Sequence, residues 1–241
     1  MLGFCSPQFA GGFYGDMAET GVVMKKALIV QGGWQGHEPK QVSHILAAAL
    51  KKQDFKVDIS DTLDAFCDLR KLRKFDLLIP EWTMGEISKD QLKGLTTAVS
   101  EGAGLAGLHG GMGDSFRQST QYQFMVGGQW VAHPGGAGVT YEVNVIDQKH
   151  PITRGMRAFL VTSEQYYMHV DPGNHVLATT CFGDVIMPVA WTKSWGKGRV
   201  FYSSLGHVAE TAGQAEVLEL MTRGMCWAAR SSYKKGKRSA K

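Results

Sequence analysis

Residues 104–108, GLAGL, form an apolar run with no polar position on either face, and the run ends at His109, followed by Gly110, Gly111 and Gly113. A strand that is apolar on both faces is buried on both, which requires a parallel sheet covered by helices on two sides. The same unit stands upstream. KALIVQ (26–31) runs into Gly32 and Gly33, and Pro39 opens PKQVSHILAAALKKQ, in which Val42, Ile45, Leu46, Ala49 and Leu50 recur at helical spacing. FKVDIS (55–60) alternates as a strand does, and FDLLIPEW (75–82) is another apolar run. SKDQLKGLTTAVSEG (88–102) reads as a helix with Ser88 at its N-cap and Gly102 near its C-terminus. Strand, helix, strand, strand, helix, strand is a βαβ series, and it predicts a parallel sheet with covering helices.

The second half has a different texture. VTYEVNVID (139–147) alternates strictly, HVLATTC (175–181) is a further strand, and MPVAWTK with RVFYSSL, joined by SWGKG, predicts a hairpin. QAEVLELMTRGMCWAA (214–229) closes the pattern as a helix with Val217, Leu220, Met221 and Met225 on one face. The expected architecture is an α/β three-layer sandwich, mostly parallel, with added antiparallel strands in the second half. One domain is expected over 24–230, since Met24 opens MKKALIV like the start of a first strand. Residues 1–23 are expected to be a disordered or non-native arm, and residues 231–241 a basic disordered tail.

Hydrophobic residues at 44% and charged residues at 20% belong to a folded globular chain. The net charge of +4 comes from Lys234, Lys235, Lys237, Arg238 and Lys241 in the tail, so the rest of the chain offers no basic face for a nucleic acid. Cys5, Cys67, Cys181 and Cys226 are scattered without a C-x-x-C pair, which argues against a disulfide framework and for a reducing compartment. No apolar run is long enough for a bilayer and the N-terminus lacks a basic, apolar leader, so the expected location is cytoplasmic, with no membrane partner.

Gly107-Leu108-His109-Gly110-Gly111 has the small residues that a sharp strand-to-helix turn demands, with an imidazole where a hydrolase carries serine and a glutaminase carries cysteine. At a helix N-terminus that imidazole is expected to be neutral, and so able to accept a proton or bind a metal. His37, beside Trp34 in GGWQGHEP, and His207, in YSSLGH, also follow apolar strands, so three strand ends at the carboxyl edge present histidines. Glu164 and Tyr166 in SEQYY stand two apart, which in an extended segment puts a carboxylate and a phenol on one face. Trp34 is a stacking surface for a sugar, and Arg117 is read a turn or two into the helix after the elbow, where it can hold an oxyanion or a hydroxyl. His133 and His169 are placed in loops that line the cleft; Trp130, and Trp191 with Trp195 on the hairpin, are candidates for the wall of a carbohydrate site, with core packing the expected role of Trp191. His150 before Pro151 shapes a turn, while His44 and His175 are structural or exposed.

These motifs in combination resemble the ThuA-like, trehalose-utilisation family: GGWQGHEP, GLHGG, HPIT (150–153), SEQYY (163–167), PVAWTKSWGKGRVFYSSLGH (188–207) and the closing helix, over about residues 25–229. The resemblance implies the flavodoxin-like fold of class I glutamine amidotransferase domains, without glutamine hydrolysis. It implies a role in sugar catabolism near a dehydrogenase that makes 3-keto sugars. One departure is TSEQYY, where an aspartate is expected before the glutamate; it touches local hydrogen bonding and leaves Glu164 and Tyr166 in place.

The leading expectation is an enzyme on a keto-sugar or 3-keto-glycoside, with His109 taking the proton beside the carbonyl and Tyr166 or His207 stabilising the enediolate, to give isomerisation or glycosidic elimination or hydrolysis. A second version adds a divalent metal such as zinc on His37, His109, Glu164 and His207, although no H-x-H or H-E-x-x-H spacing supports it. The alternative is a sugar-binding or regulatory domain; a flavodoxin-type redox carrier and a working glutaminase fit less well. A small sugar is the expected partner, in a homo-oligomer.

Overall fold

The computed structural model describes residues 24–231, so the expected arm over 1–23 and nearly all of the expected tail lie outside the described residues. The first half is β1 (Lys25–Gly33), α1 (Pro39–Lys51), β2 (Phe55–Ser60), α2 (Leu69–Leu72), β3 (Leu77–Thr83), α3 (Lys89–Ser100), β4 (Gly104–Leu108) and α4 (His109–Gly113). The second half is α5 (Thr120–Val126), β5 (Gly128–Ala132), β6 (Val139–Val145), β7 (Phe159–Ser163), β8 (Tyr167–Val170), β9 (His175–Phe182), β10 (Val185–Trp195), β11 (Gly198–Ser203), α6 (Ala209–Ala212) and α7 (Ala215–Ala228).

Among the described residues nine strands form one sheet in the order β2-β1-β3-β4-β11-β10-β9-β6-β7, and β5 pairs with β8 in a separate ribbon. Neighbours from β2 to β11 run parallel, whereas β10, β9, β6 and β7 continue the sheet antiparallel. The parallel core therefore has flavodoxin order, with the antiparallel extension that the alternating second half implied.

Period-two alternation divides the core. Ala27, Ile29, Leu77 and Ile79 face Val42, Leu46 and the apolar stripe of α7, while Leu28, Val30, Leu78 and Leu105 face Leu95, Val99 and Trp191. Both faces of β4 are thus buried, as its sequence demands. Ser88 caps α3 with a complete capping box: its hydroxyl accepts from Gln91 N–H and the Gln91 side chain accepts from Ser88 N–H. Trp191 is fully buried and donates to the Val126 carbonyl, and Trp195 donates to the Thr96 carbonyl, so the two indoles are held against α5 and α3.

Two expectations need correction. Arg117 is not in a helix, because the glycine-rich α4 stops after five residues and the chain turns again at Phe116, with φ +49°, before α5. His169 is not in a loop; it is exposed on β8 opposite Gln129.

Candidate active site

His109 is the first residue of α4 and has φ +43°, a left-handed conformation that costs a non-glycine residue energy and marks a sharp elbow. The glycines after it are required by space. A Cβ on Gly110 would stand 2.5 Å from the His37 ring, and one on Gly111 would stand 2.5 Å from the Glu81 carboxyl.

Four carboxyl-edge segments converge there. His37 ends a single 3-10 turn after β1, His109 follows β4, His207 follows β11, and Glu164 lies between β7 and β8. Glu164 Oε2 stands 3.1 Å from His109 Nε2, 3.2 Å from His207 Nδ1 and 3.8 Å from His37 Nε2. Its other oxygen, Oε1, lies 3.5 Å from His133 Nε2. His207 Nδ1 is also 3.3 Å from His109 Nε2. The ring stacked on His109 is Tyr166, at 4.0 Å between centroids, so the pair read from SEQYY meets one imidazole from two sides. His109, His37 and Glu164 are 1%, 4% and 6% exposed, while His133 and His207 are half-buried and Trp34, edge-on to His37, is exposed.

Hydrogen bonds fix the tautomers. His109 Nδ1 is 2.8 Å from the Ser204 carbonyl, which only accepts, so Nδ1 carries the proton and Nε2 turns a lone pair toward Glu164. Trp130 donates from Nε1 to His133 Nδ1 at 3.1 Å, which leaves the proton of a neutral His133 on Nε2. His37 Nδ1 lies 2.8 Å from the Thr83 hydroxyl. Tyr202 OH donates to the His109 carbonyl and Tyr141 OH to the Glu164 carbonyl, so the backbone under both residues is held as well.

Burial pulls the His109 pKa down to about 4, so this imidazole is neutral near pH 7, as expected. The main cause is desolvation rather than the dipole of a five-residue helix. Burial works to raise the Glu164 pKa, but hydrogen bonds from the imidazoles around it, those of His207 and His37 among them, outweigh it and hold the carboxyl far below the usual carboxylate range. Burial also keeps the Tyr166 phenol protonated.

Arg117 joins the rim by another route than expected. Its guanidinium binds both oxygens of the buried Asp114 at 2.6 and 2.8 Å and lies 4.5 Å over the Trp130 ring. His169 does not join the residues around Glu164; it lines a shallow cavity with Phe124 and Pro172. Among the residues expected to be structural or exposed, His44 is exposed, His175 pairs with Asp147, and the His150 ring accepts from Ile152 N–H in a turn. A separate cavity of about 630 Å³ lies between α1 and α7, far from the elbow in the fold. Sequence reasoning did not single out Thr83, Ser204, Tyr202, Asp114 or Glu81. For Glu81 a signal was present: an acidic residue inside the apolar run FDLLIPEW.

A flavodoxin-order sheet whose fourth strand ends in a strained elbow defines an amidotransferase-like α/β protein, here with an imidazole in the nucleophile's place. The model of the ThuA family, trehalose utilisation, matches residues 26–228, and the chain belongs to that family. The family ties it to a trehalose-utilisation-related role.

Solved structures agree on the fold. A ThuA-like protein from Parabacteroides merdae is 20% identical with TM-score 0.69, over 90% of this chain and 92% of that one. Another from Bacteroides uniformis is 19% identical with TM-score 0.71, over 90% and 95%. A β-galactosidase from Bacillus circulans sp. alkalophilus is 15% identical with TM-score 0.58, over 84% of this chain and 30% of that one. At these identities the likeness is one of fold alone. No curated protein matches the sequence. Among the described residues no helix is long and apolar enough to cross a membrane.

Proposed function

We propose that this protein is an enzyme of sugar catabolism that acts on a keto-sugar or 3-keto-glycoside by moving a proton at the carbon beside the carbonyl. The observation that carries the reading is the convergence of three imidazoles on one ionised carboxylate at the carboxyl edge of the sheet.

A C–H next to a ketone is acidic enough for an imidazole to remove, provided the enediolate charge is met by positive charge or hydrogen bonds. We assign the proton acceptor to His207 rather than to His109, because His109 is sealed in the cluster and His207 stands at its mouth. When His207 Nδ1 donates to Glu164 Oε2, its Nε2 keeps the free lone pair, and the carboxylate offsets the imidazolium that forms. The imidazole cluster meets the charge on the enediolate oxygen. Return of the proton to the neighbouring carbon gives isomerisation, and loss of a glycosidic oxygen gives elimination. Trp34, exposed at the rim, supplies a face for the sugar ring.

The test is incubation of a 3-keto-glycoside in D₂O with carbon-bound deuterium followed by NMR. Wild type is expected to wash deuterium into the carbon beside the carbonyl, and His207→Ala to slow this by about 10²-fold or more. Sugar binding by calorimetry with neither exchange nor turnover by wild type refutes the enzyme and favours the binding domain.

A further inference from the structure

We infer that His37 Nε2, His109 Nε2, Glu164 Oε2 and His207 Nδ1 form a site for one divalent first-row transition ion of the zinc type. These four atoms, from four separate segments of the chain, all lie within 4.8 Å of one another. Ligands at about 2.0–2.2 Å in a tetrahedron are about 3.3–3.6 Å apart, by simple geometry on ordinary zinc–nitrogen and zinc–oxygen distances. The contacts around Glu164 Oε2 are 3.1, 3.2 and 3.8 Å, and His207 Nδ1 to His109 Nε2 is 3.3 Å, which bracket that spacing.

Ring orientation points the same way. His109 Nδ1 stands 2.8 Å from the Ser204 carbonyl, so Nε2 is the nitrogen turned to Glu164 Oε2, at 3.1 Å, and to the space between the four donors. The outer contacts are those of metal-bound imidazoles: the second nitrogen of His109 is held by a backbone carbonyl and that of His37 by the Thr83 hydroxyl. Three nitrogens with one oxygen suit zinc and its first-row neighbours and do not suit calcium or magnesium, which take oxygen ligands.

The four donors are not equivalent. His37, His109 and Glu164 are buried and form a fixed set, whereas His207 is half-buried and closes the fourth position until a substrate oxygen takes it. Release of His207 frees its imidazole for the proton transfer proposed above; only this second role rests on the keto-sugar reading. The ion, when bound, supplies Lewis-acid polarisation of the carbonyl.

The experiment uses the full chain, stripped with a chelator, and follows cobalt(II) and zinc(II) binding by visible absorption, elemental analysis and thermal melts. One ion per chain, intense visible cobalt bands and a melting temperature raised by zinc are expected. His109→Ala and Glu164→Gln are expected to stay folded by circular dichroism and to lose all three signals. His207→Ala is expected to keep the ion more weakly, and His175→Ala, at a surface pair with Asp147, to match wild type. Folded wild type without stoichiometric ion, cobalt bands or a zinc-dependent melt overturns the site, and so does full retention by His109→Ala. Undiminished keto-glycoside turnover by stripped protein also overturns its catalytic use while the enzyme reading stands. Metal binding without turnover of any keto-glycoside has the opposite meaning: the site stands and the enzyme reading falls.

Discussion

Glu81 on β3 is 1% exposed, its Oε2 has no hydrogen-bond partner among the described residues, and its carboxyl fills the space that a side chain on Gly111 would need. Burial pushes its pKa from an ordinary 4.5 up to about 8. Between those two pH values the unfolded chain has released this proton and the folded chain still holds it. The unfolded state therefore binds fewer protons, and stability falls as pH rises from about 4.5 to about 8. Over that span, at about 1.4 kcal/mol per pH unit, the loss is on the order of 4–5 kcal/mol. Glu81→Gln keeps the size and removes the ionisation, so its stability is expected to lack this share of the slope. Urea unfolding of both proteins at pH 5, 6.5 and 8 measures it, and the difference between the curves isolates Glu81 from every group the two share. The variant is expected to gain several kcal/mol on wild type between pH 5 and pH 8. Parallel curves across that range refute a neutral, buried Glu81.

Three further substitutions probe the walls of the site. Gly110→Ala puts a methyl 2.5 Å from the His37 ring, so it is expected to displace His37, cost about 1–3 kcal/mol and abolish keto-glycoside turnover; a stable, active variant in a thermal melt and rate assay contradicts this. Arg117→Ala strands the buried Asp114 carboxylate at a cost of about 1–3 kcal/mol by chemical denaturation. Arg117→Lys should recover only part of that, because an ammonium cannot pair with both oxygens; full recovery would deny the two-pronged contact its weight. Trp34→Ala, at an exposed position, is expected to change stability by less than about 0.5 kcal/mol while raising KM for the sugar, and an unchanged KM removes Trp34 from the binding surface.

The parallel half of the fold was legible because burial on both faces leaves a plain mark: KALIVQ, FDLLIPEW and GLAGL became β1, β3 and β4, and Ser88 capped its helix. The ribbon of β5 and β8, together with α5 and β7, left weaker marks. Gly128–Ala132 and Tyr167–Val170 are short and only partly buried, so their alternation is brief and borne by few residues. The histidines at strand ends could be seen one by one, since an apolar run that stops at glycine and histidine is visible in a line of text. Their meeting at Glu164 could not be seen, because it depends on the order in which distant strands lie side by side. Arg117 was misplaced for a local reason: GDSFRQS carries no helix-breaking proline, yet Phe116 turns into the left-handed region.

The same long-range wiring decides when in folding the site appears. His109 and Glu164 are 55 residues apart and His109 and His207 are 98, and Ser204, which sets the His109 tautomer, arrives only with the end of β11. A chain still emerging from the ribosome has bare imidazoles and an unpaired carboxylate until its last strand slots in beside β4. Capture of a ligand therefore comes after topology is complete, so it rewards the finished fold and cannot guide the search for it.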